Sequence, residues 1–229
     1  MPAVMAAVRD GSEAAARELV TRRQAGLFEF ELFSSAFRAA LLGELRAFVA
    51  WCAERAVTPT RPNSMNEHGV MMSEFGLDDA LRTLLIEVIR PLARHLFSEH
   101  AGETLDHHHS FVVDYSEDGD TSLGYHVDDS EVTLNACLGI DFDGAEVYFR
   151  GERCSMHRQS PDTAAEAWDW FPRPGSAILH AGAHRHGVHP LESGRRLNLI
   201  VWGRSSAYRS RVTAPHEGPA DWCGSCRVD

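Results

Sequence analysis

His126-Val-Asp128, a group of imidazoles at His180, His184, His186 and His189, and Arg196 beyond them are the residues whose types and spacing could do redox chemistry. Two neutral imidazoles and one carboxylate bind one face of Fe(II) and leave the opposite face open for substrates. An arginine held nearby can grip a carboxylate through two parallel hydrogen bonds, which a lysine cannot do. His126 and Asp128 stand at i and i+2, so both side chains leave the same face of an extended segment. The third imidazole is open at this level. His184 and His186 share a face if their segment is extended, and His189 lies on the other. In the stretch after Gly194, Arg196, Asn198, Ile200 and Trp202 alternate with Leu197, Leu199 and Val201. An arginine on the inward face of a sheet needs an anion to offset its desolvation. That anion is either the distal carboxylate of a dicarboxylic cosubstrate or a structural Asp or Glu.

Positioning these groups falls to strands. After residue 108 the pattern has strand periodicity at 110–115, 131–138, 146–149, 176–179 and 196–202, separated by Gly, Asp, Asn and Pro. The pair at 126 and 128 is expected at a strand edge just before 131–138, and a turn through Pro190 and Gly194 is expected to deliver Arg196. The first half reads differently. Residues 10–24 have helical composition ended by Gly26, and 27–33 alternates apolar with acidic residues as a half-buried strand does. Ser34 is placed to cap a helix whose Phe37, Leu41, Leu45, Phe48 and Trp51 form an apolar stripe. A further helix over 77–89 should break or kink at Pro91. Between these helices, 58–66 is rich in proline and side-chain amides, a binding loop or lid in which Arg61, Asn63 and Asn66 are candidate substrate contacts. Helices first and strands afterwards predict an α+β fold with the sheets closed as a barrel or sandwich. No second domain is required.

Composition narrows the partners. The 229 residues suffice for one large domain, and 33 acidic against 22 basic residues give a formal charge of −11. Such a surface repels phosphate backbones and disfavours a nucleic-acid interface; the one candidate basic patch is Arg204, Arg209 and Arg211. Glu13, Arg17, Glu18, Arg22 and Arg23 interrupt any signal-peptide core, and no segment reaches membrane-spanning length. Five cysteines at scattered positions, 52, 137, 154, 223 and 226, do not form a secreted disulfide framework. The expected location is cytoplasmic.

The combination resembles the iron(II)- and 2-oxoglutarate-dependent dioxygenases, in particular their prolyl-4-hydroxylase-like branch. That branch carries His-x-Asp, then a histidine four residues before a proline, then Gly-x-Arg and an apolar strand ending in Trp. Here these read His126-Val-Asp128, His186-Gly-Val-His-Pro190, Gly194-Arg195-Arg196 and Leu197-Asn-Leu-Ile-Val-Trp202. The ten residues from His186 to Arg196 match the branch and select His186 among its neighbours. The branch usually has Gly-Gly-Glu/Asp before its Tyr/Phe strand; this chain has Gly144-Ala145-Glu146. The resemblance covers roughly 108–204.

It implies a double-stranded β-helix (jelly-roll) core over 108–204, N-terminal supporting helices in 1–107 as part of the same fold, and a C-terminal tail in 205–229. It also implies Fe(2+) held by His126, Asp128 and His186, with Arg196 on the distal carboxylate of 2-oxoglutarate. O2 is the second cosubstrate and ascorbate a candidate reductant. The implied reaction hydroxylates a C–H bond of a protein side chain or a small metabolite, with succinate and carbon dioxide as coproducts. Tyr115 and Asn135 are candidate cosubstrate contacts, with Thr133 and Cys137 beside Asn135; core packing is the plain alternative for each. A non-catalytic metal or 2-oxoglutarate binding module would carry the same residues. A zinc hydrolase would not need Arg196.

Two motifs are left over. Cys223-Gly-Ser-Cys226, with His216 upstream, lacks a second cysteine pair and reads as a loose tail with two thiols. His107-His108-His109 reads as the polar start of a strand, since three consecutive side chains do not converge on one ion.

Overall fold

The computed structural model describes residues 2–139, 141–211 and 222–226; His216 lies outside them. In chain order come α1 (Pro2–Arg9), α2 (Glu13–Leu19), β1 (Thr21–Gln24), β2 (Leu27–Glu31), α3 (Ser35–Glu54), β3 (Gly69–Met71), α4 (Asp78–Leu84) and α5 (Arg90–Leu96). The strand-rich half follows: β4 (His107–Ser116), β5 (Leu123–His126), β6 (Val132–Gly139), β7 (Phe142–Gly144), β8 (Val147–Glu152), β9 (Ala167–Trp170), β10 (Ser176–Ala181), β11 (His184–Val188) and β12 (Leu191–Arg204), closed by α6 (Ser206–Arg211).

The strands form two antiparallel sheets. The larger runs β1-β2-β10-β6-β12-β4-β3, with β7 also on β12; the smaller runs β5-β11-β8-β9. This is the jelly-roll core on helical support expected for an α+β chain. The alternation along β12 decides the layering. Leu197, Leu199 and Val201 join Leu134, Ala136 and the helical Leu85, Ile89 and Leu92 in one cluster behind the large sheet. Ile200 joins Phe111, Val113, Val147, Phe149 and Val188 in a second cluster between the sheets. A one-residue register slip would exchange the two faces and carry Arg196 out of the intersheet space.

Several expectations need correction. The helix expected over 10–24 covers only Glu13–Leu19, and Thr21–Gln24 instead pairs with β2 as a hairpin. Ser34 does cap α3, its Oγ accepting from Phe37 N–H at 3.2 Å, yet Phe37 and Trp51 at the ends of the apolar stripe are 49% and 45% exposed. The middle of that stripe packs into the core, Leu41 and Leu45 buried and Phe48 partly so. Pro91 does not end its helix. The turn before it, Leu85–Ile89, widens to π-helical geometry and α5 continues, which accommodates the amide that proline lacks. Asp128 lies just past the end of β5 rather than on the strand. The segment after Pro190 is not a turn: β12 already begins at Leu191 and bends at Gly194, whose φ of +80° suits glycine. Two arginines of the candidate basic patch are in ion pairs, Arg204 and Arg209 with Asp129 at 2.8 Å each and Arg209 also with Glu131.

Candidate metal and cosubstrate site

His126 ends β5 and lies directly opposite His186 on β11 in the antiparallel register. Their ring centroids are 4.3 Å apart. Asp128 reaches the pair from the following turn, where its N–H donates to Gly182 O at 2.9 Å. A side chain at Gly182 would run into the Ser130 backbone, so the close approach that seats this turn needs a glycine there. Asp128 Oδ1 stands 3.6 Å from His126 Nε2 and 3.7 Å from His186 Nε2. Those gaps exceed hydrogen-bond length and fall within the span of one ion bound at about 2.1 Å to each group.

The groups behind these three prepare them for such a role. His126 Nδ1–H donates to Gly124 O and His186 Nδ1–H to His184 O, both at 2.8 Å. Each ring is thereby oriented with its Nε2 lone pair inward. Thr133 Oγ1 donates to Asp128 Oδ2 at 2.6 Å and meets Ser130 Oγ at 2.7 Å. Burial alone would raise the Asp128 pKa, but His186 and the neighbouring imidazoles hold it well below the ordinary carboxylate range. Burial pushes His186 well below the usual imidazole value. For His126, burial acts downward and the adjacent Asp128 carboxylate outweighs it, leaving a net rise. The donor set is thus a carboxylate beside an imidazole that stays neutral, which suits a divalent ion.

A cavity joins these groups to Arg196, which lines it with Tyr115, Thr133, Asn135, Asn66 and Trp202. Arg196 is 1% exposed and lies opposite Tyr115 in the β12–β4 register, its guanidinium 4.6 Å from that ring. One Nη donates to Ala145 O, while Nε has no partner. Among the described residues no carboxylate comes within 4.0 Å of it. Desolvation lowers its pKa, and burial raises that of Tyr115. A buried guanidinium without a counterion is costly, and an anion in the cavity would offset that cost. Asn135 accepts from Asn198 Nδ2 at 2.5 Å, which fixes its amide on the wall. Cys137 is buried but does not line the cavity.

Of the other imidazoles, His180 is fully buried behind the site, with Nε2 3.9 Å from Asp128 Oδ2 and a pKa pushed down by burial to about 4. His184 faces Glu152, and His189 bonds Asp169 at 3.2 Å. In the amide-rich loop, Asn63 and Asn66 line the cavity, linked by a 3.0 Å bond, and Asp120 accepts from the loop at Asn66, Glu67 and His68. Arg61 is exposed and pairs with Glu67. Sequence reasoning missed Thr133's hydroxyl bond to Asp128 and the role of Gly182, since neither carries a motif. It also misread the C-terminal cysteines. Cys223 is fully buried, and Cys223 and Cys226 meet Cys154 and His157 in a second cluster of potential metal ligands. The missing signal was Cys154-x-x-His157, the partner of Cys223-x-x-Cys226 with one thiol replaced by imidazole.

The family model for the OGFOD2-like domain matches residues 1–102. The 2-oxoglutarate and iron-dependent oxygenase domain-containing protein ICU11 of Arabidopsis thaliana is 43% identical over 228 residues, covering 100% of this chain and 57% of that protein. The 2-oxoglutarate and iron-dependent oxygenase domain-containing protein 2 of Mus musculus is 43% identical over 188 residues, covering 81% and 51%. The chain therefore spans little more than half the length of these relatives. Among solved structures, a Pseudomonas putida prolyl-4-hydroxylase superposes with a TM-score of 0.56 at 17% identity, covering 88% of this chain and 98% of that one.

Proposed function

We infer that this chain, a member of the superfamily of iron(II)- and 2-oxoglutarate-dependent oxygenases, is an active dioxygenase that hydroxylates a C–H bond. The observation that carries the reading is Arg196: a fully buried guanidinium with no carboxylate partner among the described residues, in the same cavity as three convergent potential metal ligands. His126, Asp128 and His186 would hold the iron. Iron(II) with 2-oxoglutarate and dioxygen would supply the oxidising equivalents, leaving succinate and carbon dioxide as coproducts.

The chain's own residues do the rest. Arg196 binds the distal carboxylate of 2-oxoglutarate, and the Tyr115 hydroxyl and Asn135 amide orient it against the wall. Gly124 O and His184 O keep the two imidazole N–H groups turned outward, and Thr133 keeps one Asp128 oxygen occupied so that the other faces the metal. Phe111, Val147, Ile200 and Trp202 line the cavity and exclude water from the reacting centre.

The substrate we propose is a side chain of a protein or peptide of basic character. The formal charge of −11 would draw such a partner in, and Tyr125 and Met65 leave apolar surface exposed beside the site. Anaerobic titration of the iron-loaded protein with 2-oxoglutarate should produce the weak visible charge-transfer band of the chelate. Succinate release, screened against basic peptides and metabolites, then tests turnover. A chelate band with no succinate under any substrate would support a non-catalytic binding module instead.

A further inference from the structure

At Glu152 the chain leaves the small sheet and passes through Arg153 and Cys154 into the loop leading to β9. Cys154 and His157 lie one turn apart in that loop, and Cys223 and Cys226 lie one turn apart in the C-terminal segment that packs on it. His157 Nδ1 stands 3.2 Å from Cys154 Sγ, 3.3 Å from Cys226 Sγ and 3.7 Å from Cys223 Sγ. Cys154 Sγ and Cys226 Sγ are 3.9 Å apart, and all four ligand atoms lie within 4.8 Å of one another. Cys154 and Cys223 are 2% and 0% exposed.

Hydrogen bonding does not account for this cluster. A neutral imidazole has one acceptor nitrogen with one lone pair, so it cannot accept from three thiols at once. The 3.9 Å separation is nearly twice a disulfide bond, so Cys154 and Cys226 are not oxidised to each other. A tetrahedral zinc ion, with Zn–S about 2.3 Å and Zn–N about 2.0 Å, holds S···N pairs about 3.5 Å and S···S pairs about 3.8 Å apart. The three observed S···N distances bracket the first value, and the 3.9 Å between Cys154 and Cys226 lies close to the second. Soft thiolates with one imidazole select zinc over the hard cations. The neighbouring carboxylates do not compete, because Glu152 is held by His100 at 2.9 Å and Glu166 by Arg153.

We propose that Cys154, His157, Cys223 and Cys226 form a structural Zn2+ site, distinct from the centre at His126, Asp128 and His186. Four protein ligands complete the tetrahedron and leave no position for water or substrate, so the ion acts as a clip. It joins the C-terminal segment to the β8–β9 loop, where Gly224 N–H donates to Glu152 O at 3.2 Å, Ser225 and Ser160 hydroxyls meet at 2.5 Å and Trp222 packs on His100. The same loop is tied by Arg185, neighbour of His186, which donates to Ser160 O at 2.5 Å and to Arg158 O at 3.3 Å. The clip therefore steadies the loop flanking the strand that carries His186.

The test uses the full chain, purified under reducing conditions without added metal. Elemental analysis should find about one zinc ion per chain, and X-ray absorption at the zinc edge should report about three sulfurs and one nitrogen. The double variant Cys223→Ser/Cys226→Ser should lose that zinc, and Asp128→Ala should keep it. Zinc that survives the cysteine substitutions and vanishes with Asp128→Ala sits at the other centre and overturns the proposal. So does a wild-type zinc shell without sulfur, a zinc content below about a tenth of an equivalent, or a mass deficit of two hydrogens showing a disulfide in the cluster. The absorption measurement needs no variant, so a cysteine variant that fails to fold does not spare the proposal.

Discussion

Arg196 carries its charge among backbone and aromatic contacts, with no carboxylate within 4.0 Å of it among the described residues, and this sets the energetics of the site. Replacing it with methionine removes an uncompensated buried charge, so Arg196→Met should melt at or above the wild-type temperature in the absence of cosubstrate. Adding 2-oxoglutarate at about 100 times its Kd should then stabilise the iron-loaded wild type by about 2.7 kcal/mol and leave the variant unmoved; thermal denaturation with and without cosubstrate checks both halves. Thr133 acts one step back, through Asp128 Oδ2. Thr133→Val keeps shape and deletes the hydroxyl bond, and should weaken Fe(II) affinity about 10- to 100-fold while leaving the fold intact. Competition for iron against a chromogenic chelator reads that change directly.

Among the elements, α3 and the β8–β9 loop offer the cleanest tests. Ser34 satisfies an otherwise unpaired N–H at the start of α3, and Ser34→Ala should cost about 1 kcal/mol in urea denaturation without altering metal binding. In the loop, Glu166 forms two hydrogen bonds with Arg153 and accepts from Thr163. The Arg153 bond, against the opposing effect of burial, lowers its pKa from 4.5 to about 2. A carboxylate with a depressed folded-state pKa stabilises the protein above its unfolded value and loses that contribution as the pH falls through the folded one. Wild type should therefore exceed Glu166→Gln in stability at pH 7, with the gap narrowing below pH 4.5 and closing near pH 2. A gap independent of pH would show that the carboxylate's charge contributes nothing.

At the level of the whole molecule, an excess of eleven negative charges surrounds a cavity whose one buried unpaired cation is Arg196 among the described residues. If a basic peptide is the substrate, kcat/KM for its hydroxylation should fall as salt is raised, whereas uncoupled succinate release without peptide should respond little. Equal salt dependence of the two rates would remove the basis for a charged partner. The three-layer arrangement of helices, large sheet and small sheet also explains why the N-terminal half belongs to the site's architecture. β2 pairs with β10 in the large sheet, and Leu27 packs in the cluster between the sheets.

How much of this was readable beforehand follows from which interactions are local. The alternation from Arg196 to Trp202, the Ser34 cap and the His-x-Asp pair are short-range patterns, so their faces and spacings could be read from neighbouring residues. β5, β7, β9 and β11 could not, because short strands gain their stability from partners far along the chain rather than from their own composition. The choice of His186 over His184 needed the ten-residue interval to Arg196, and only the cross-strand pairing with His126 gives that choice a physical cause. Cys154 and His157 show the limit most plainly. Nothing near them in the chain announces two further thiols, and only the return of the C-terminal segment across the β8–β9 loop brings the four groups together. Composition and period are properties of a one-dimensional string, whereas a ligand sphere is set by distances that the folded backbone alone defines.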